Sequence, residues 1–264
     1  MIDAIPRIGA RLRRGRIAHA LRCRAAPRAL DAARWSRGIL STAWEYLTLT
    51  RRVRRFEERG TVSEDLPPPL PPEVAFDEAQ DLAEGVGPLM HRCYVVRVRD
   101  ASLSAADLIA AFAGRPNRAS PRELAEFEKV RGEEGELRVG DQFTILIPGP
   151  WNGPVRVVEL SETSFGFVTL HGHLEAGRIR FSARDLDDGR LEVRIESWAR
   201  GGDHVSNMLF DWIGINKEVQ LHMWTSVLAR LTNLCAGRRD GPIVATTRRV
   251  DSGELARAEA TPAS

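Results

Sequence analysis

Between residues 143 and 231 the spacing of the apolar residues switches once, from two to between three and four, and that switch limits the fold most. Phe143, Ile145 and Ile147 alternate with smaller or polar residues, and Val155 and Val157 resume the alternation. Phe165 and Phe167 follow, then Ile179, Phe181 and Ala183, then Leu191, Val193 and Ile195. A period of two is that of strands with one apolar face. Turn residues separate the runs: Gly149-Pro150-Trp151-Asn152-Gly153-Pro154, Ser161–Ser164, His171-Gly172 and Asp187-Asp188-Gly189. Asn-Gly and Asp-Gly pairs accept the positive φ that tight hairpins need. From about Asp203 to Leu234, Met208, Trp212, Ile215, Val219, Met223, Val227 and Leu231 recur at helical spacing. Gly214 is expected to bend that helix. A meander with one apolar face and a long helix with an apolar stripe cover each other. The expected class is α+β, a curved antiparallel sheet wrapped around a long C-terminal helix.

Upstream, Tyr94-Val95-Val96-Arg97-Val98 reads as the first strand. Ser104 caps a helix through Leu108 and Phe112, ended by Gly114 and Pro116. Pro121 opens a second short helix carrying Leu124 and Phe127. The domain is therefore expected over 90–240. Residues 60–89 hold Pro67-Pro68-Pro69-Leu70-Pro71-Pro72 among acids and read as a stiff, acidic, Pro-rich linker. Residues 241–264 read as a flexible tail.

Charge is unevenly shared. Residues 1–59 contain fifteen Arg against five acids, a local +10 in a chain whose net charge is +2. With Trp35, Ile39, Ala43, Tyr46 and Leu47 at helical spacing, this segment reads as a basic amphipathic helical arm. Lys129 and Lys217 are the only lysines, so Arg over Lys is a bias of the whole chain and not a mark of function. No apolar run approaches the ~20 residues that cross a bilayer, and the N-terminus lacks the apolar core of a secretory signal. Three widely spaced cysteines without a CxxC indicate neither a disulfide framework nor a zinc site, so a cytoplasmic location is expected.

The order strand, short helices, antiparallel meander and long helix resembles the helix-grip fold of START-like proteins, the birch-pollen-allergen-like or polyketide-cyclase-like (SRPBCC) superfamily. Pro116-Asn117-Arg118, Gly140-Asp141, Gly149-Pro150-Trp151, the run Thr169 to Gly177 and Glu196-Ser197-Trp198-Ala199-Arg200 also resemble a bacterial family within it labelled a domain of unknown function. The resemblance covers about 88–238, and Gly172-His173…Glu175…Gly177 is its most specific part. Arg178 and Ile179 stand where relatives often carry acids. The resemblance implies an internal cavity; START-like relatives variously bind lipids, sterols, polyketides or quinones, and some catalyse ring closure.

His171, His173 and Glu175 are the sharpest constellation. Alternate residues of a strand share a face, and this parity runs on to Phe181, so two imidazoles and a carboxylate would line the cavity. They would serve there as acid/base pair (His173 and Glu175), as polar ligand contacts, or as metal ligands. A bend at Gly172 breaks the parity, and the alternative is a structural His173–Glu175 pair at the strand junction. Glu196, Trp198 and Arg200 face away from Leu191, Val193 and Ile195, as a surface Glu196–Arg200 pair, unless a bulge near Ser197 turns them to the cavity mouth. Trp212 and Trp224 on the long helix complete the expected lining. No Gly-x-Ser-x-Gly, Gly-x-Gly-x-x-Gly or Walker loop is present, so no nucleophile elbow and no cofactor loop is indicated.

The favoured function is a noncatalytic carrier or sensor of a hydrophobic small molecule or lipid. A cavity enzyme with cyclase- or hydratase-like chemistry and a side-chain-filled scaffold are the alternatives. The arm would sit on an anionic membrane surface, its Arg at the phosphates. No nucleic-acid-binding fold accompanies the basic residues. The oligomeric state is left open.

Overall fold

A computed structural model describes residues 53–70, 78–147, 152–202 and 215–260. In chain order these form β1 (Val53–Arg59), α1 (Val62–Asp65), β2 (Val86–Arg99) and α2 (Ala105–Gly114). Then come β3 (Glu126–Arg131), β4 (Gln142–Leu146), β5 (Asn152–Leu160), β6 (Ser164–Thr169), β7 (Glu175–Asp185) and β8 (Leu191–Gly201). The remainder is α3 (Ile215–Leu234), β9 (Arg238–Arg239), β10 (Ile243–Val250) and α4 (Ser252–Ala260). The strands join in one sheet in the order β1-β10-β2-β8-β7-β6-β5-β4-β3, with β9 beside β2. The sheet is large, curved, open and mostly antiparallel, and the architecture is helix-grip-like α+β.

Alternation decides which face is inside. Tyr94, Val96 and Val98 of β2, Leu191, Val193 and Ile195 of β8, and Phe181 and Ala183 of β7 share the inner face with Phe165, Phe167, Val157 and Phe143. Leu108 and Phe112 of α2 and Leu221, Val227, Leu228 and Leu231 of α3 pack against them. Aromatic rings lock this end: Phe112 lies 5.2 Å from Phe165 and 5.3 Å from Phe181, ring centre to ring centre, mostly edge to face.

Several expectations need correction. The second short helix does not form. One turn at Pro121–Ala125 leads into β3, because the Asn117 side chain donates to and accepts from the Phe127 backbone, both at 2.8 Å, and holds it extended. Asn152 and Gly153 are not the hairpin tip; they pair with Leu146 and Ile145 inside the ladder, and the tip falls on 148–151, outside the described residues. The first strand starts eight residues earlier, at Val86. The helical stripe holds at Val227 and Leu231, both buried, and fails at Val219, which is 39% exposed; Leu221 and Leu228 are buried beside it. The helix is also not the last element.

The segments read as tail and arm contribute strands. β10 pairs with β2 antiparallel and with β1 in parallel. Arg and Thr disguise β10 as polar, yet Ile243 and Ala245 alternate inward and Val250 is buried on the other face. Main-chain pairing on both sides, to β1 and β2, holds β10 in the ladder with few apolar residues. Residues 1–52, with the expected amphipathic helix, lie outside the described residues. The described part of the Pro-rich linker packs on the outer sheet face: Leu70 sits against Ala79, Val158 and Val168, and the Pro68 carbonyl accepts from Arg178 Nη1 at 2.7 Å.

Candidate functional site

The concave inner face of the sheet forms a cup that holds the main core. Val98, Phe165 and Leu191 in it are 0–1% exposed, while Leu103, just ahead of α2, keeps part of its surface accessible. Ile145, Ile179 and Trp224 likewise pack on the core but keep part of their surface accessible. The Trp224 ring centre lies 5.7 Å from that of Phe181. One helical turn earlier, Gln220 donates to Glu175 Oε1 at 2.6 Å. Apolar wall thus passes into a polar mouth.

His173 and Glu175 meet there, through the main chain. His173 N–H caps a turn on the Leu170 carbonyl, and the Glu175 amide donates to His173 Nδ1 at 2.9 Å. Nδ1 also lies 3.0 Å from the Glu175 carbonyl oxygen, so the Glu175 main chain engages this nitrogen in either tautomer. Burial lowers the His173 pKa below its ordinary value despite the nearby Glu175 charge, so the ring is neutral near pH 7. A Cβ on Gly153 would lie 2.9 Å from His173 Nε2, so the glycine makes room for the ring. The Gln80 side chain completes the junction, donating to the His173 and Glu175 carbonyls and accepting from Gly172 N–H. Gly172 sits at φ +100°, breaking the strand parity. His171 is consequently half-exposed, 3.4 Å from Glu84, and does not face the cup.

The mouth contains a cation that the sequence reading did not single out. Arg92 shares the β2 face of Tyr94 and Val96, in a cross-strand row with Thr247, Ser197 and Ile179. It is 6% exposed, and its Nε is buried with no hydrogen-bond partner. Burial pushes the adjacent Tyr94 phenol up to about 12, with the Arg92 charge opposing and the Glu175 charge adding to the shift. Tyr94 is therefore a neutral hydroxyl. Reading the β2 alternation two residues back from Tyr94 would have placed Arg92 inside.

Phe181 lies buried in the core of the inner face, with Trp224 packed beside it. Trp198 and Arg200 face the other way. Register runs unbroken from Leu191 to Gly201, so no bulge turns them inward. Trp198 stacks on His91, centres 5.1 Å apart, and packs with Leu89, Val250 and Leu255 on the outer face. Arg200 donates to the Gly87 and Leu82 carbonyls. Glu196 pairs with His91 instead of Arg200. His91 Nδ1 lies 2.7 Å from Asp65 and Nε2 2.9 Å from Glu196. Burial alone would depress His91, but the two carboxylates outweigh it and raise its pKa. Asp65 and Glu196 are each lowered, burial opposing and His91 prevailing. This imidazolium clasp ties α1 to the sheet. Trp212 lies outside the described residues. Among the described residues no group of three or more His, Cys, Asp or Glu could hold a metal ion, and no helix is long and apolar enough to cross a membrane.

A family described as "Domain of unknown function (DUF1990)" matches residues 118–227, from before β3 into α3 and less than half of the chain. Among curated proteins none matches the sequence. Solved structures give loose likenesses. A hypothetical protein from Helicobacter pylori has 10% identity and a TM-score of 0.42, over 54% of this chain and 86% of its own. A protein from Nitrosospira multiformis has 14% identity and a TM-score of 0.37, over 55% and 95%. Norcoclaurine synthase from Thalictrum flavum has 12% identity and a TM-score of 0.40, over 61% and 94%. At this level the likenesses say nothing of what this chain binds. The motifs that the family resemblance rests on have structural work here. Asn117 fixes β3, and Asp141 accepts from Lys129 Nζ at 2.7 Å and Arg138 N–H at 3.0 Å. Gly177 lets β7 approach β8, since a Cβ would sit 2.0 Å from the Trp198 carbonyl oxygen.

Proposed function

We propose that the chain binds a hydrophobic small molecule or lipid in the cup between the inner sheet face and α3, as a noncatalytic carrier or sensor. The observation that carries this is the incomplete burial of Ile145, Ile179 and Trp224 close to the polar groups of His173, Glu175 and Gln220. Apolar surface left open beside a few convergent polar groups is the usual make-up of a ligand site. An acid/base role for His173 and Glu175 is less favoured, because the Glu175 main chain engages the imidazole Nδ1 and Gln220 holds the carboxylate. Native mass spectrometry of the full chain purified from its own host tests the reading. An adduct that organic solvent extracts as an apolar compound is expected. Bare protein from several preparations, together with no binding of neutral long-chain alcohols, would refute it.

We further propose that residues 1–52 hold the protein on an anionic membrane surface, a reading supported by the Arg excess of the arm. The full chain should co-sediment with anionic liposomes, less so as salt rises, whereas residues 53–264 should stay in solution. Equal pelleting of both would refute an arm-mediated contact. Steeply salt-dependent DNA binding without liposome binding would replace it with a nucleic-acid role.

A further inference from the structure

Arg92 is a buried cation for which no partner is seen among the described residues. Its Nε has no acceptor, and no ion pair joins it to a carboxylate. The nearby inward-facing acids are engaged elsewhere or distant: Gln220 holds Glu175, and Glu57 stands two strands away across Thr247. Removing a charge from water without a partner costs several kcal/mol, and a fold retains such a group where something supplies the counter-charge. A guanidinium presents a planar fork that fits a carboxylate. Its cross-strand row runs through Ser197, a small hydroxyl, to Ile179, whose side chain is still partly open.

We propose that Arg92 anchors the carboxylate of an amphipathic monoacid whose apolar body lies along Ile179 and Trp224. The inference rests on the cup being a binding site and adds the class of its ligand. The neutral Tyr94 hydroxyl beside Arg92 supplies a further donor for the acid. A neutral lipid of equal length would fill the apolar wall and leave the guanidinium unpaired.

Dodecanoate and dodecanol, matched in chain length, test this by calorimetric titration of the full chain and of its Arg92→Met variant. The native protein should bind dodecanoate at least ten-fold more tightly than dodecanol. Arg92→Met should lose that preference, bind dodecanol within about three-fold of the native protein, and melt no lower without ligand, since it removes an unpaired buried charge. Equal affinity of the native protein for both compounds, or a preference that survives the substitution, would overturn the proposal while leaving the cup reading intact. Binding of neither compound would overturn both. If Arg92→Met does not fold, the native protein still decides: the ¹⁵Nε resonance of Arg92 should shift with dodecanoate and not with dodecanol. An unmoved resonance would overturn the anchor.

Discussion

His91 sits between two carboxylates, and the sign of its pKa shift sets how stability varies with pH. Its folded pKa is raised, so its contribution is fully present below the unfolded value of about 6.5 and is lost as pH rises through the folded value. Asp65 and Glu196 are lowered, so theirs is present above about pH 4.5 and is lost as pH falls through their folded values. The clasp is therefore strongest between about pH 4.5 and 6.5. Thermal melts should show stability declining above that window, and His91→Gln should flatten the decline; an unchanged slope would remove His91 as its cause. Two glycines make a second contrast. Gly177→Ala drives a Cβ into backbone and should cost at least ~3 kcal/mol, or yield no soluble protein. Gly172→Ala meets no atom within 4 Å and is penalised only by its φ of +100°, about 1–2 kcal/mol. Equal denaturation midpoints for the two variants would contradict the close β7–β8 approach.

The helix α3 shows how far periodicity can be trusted. Spacing of three and four put a long helix near residues 203–234, and Ile215–Leu234 is helical. The phase is right at Val227 and Leu231 and wrong nearer the start of the helix, because Val219 and Met223 look as apolar as Leu221 and Trp224, and only packing reveals which side faces the sheet. Trp224→Ala should cost about 2–3 kcal/mol, since the ring packs on Phe181 but is not fully buried, whereas Val219→Ala should stay within ~0.5 kcal/mol. Urea midpoints in the reverse order would restore the original stripe. The meander from Phe143 to Ile195 was legible for a simple reason: one buried face imposes strict alternation. β1, at the sheet edge, and β10 beside it were not, because both draw on main-chain pairing and carry Arg or Thr where apolar alternation would mark a strand. Parity put Phe181 on the inner face, where it lies, whereas helical spacing pointed to Met223 and passed over its neighbour Trp224. The Gly172 bend hid the outward turn of His171, and Arg92 was missed because its strand was begun too late, at Tyr94.

Taken as one body, the chain closes its sheet with segments from both ends of the sequence. β10 buries Ile243 and Val250, both at 0% exposure, and β1 covers its outer edge. Residues 53–260 should accordingly unfold in one cooperative step, and residues 86–240 should be several kcal/mol less stable or fail to fold. Matching denaturation midpoints would mean that these strands are ornaments on a self-sufficient core. Phenylalanines pack the inner face against α2, and Ile145 and Ile179 keep part of their surface accessible. A hollow of about 260 Å³ under Pro67–Leu70 is lined by Val158, Arg178, Ile179 and Trp198, so Ile145, and not Ile179, tells a molecule bound on the inner face from one bound there. Methyl NMR of the full chain titrated with dodecanol reads the location directly. The account predicts shifts at the Ile145 methyls, with Ile109 and Leu191 at the α2 end and Val158 on the outer face unmoved. Shifts confined to Val158 and Leu70, or none at any of these methyls, would contradict it.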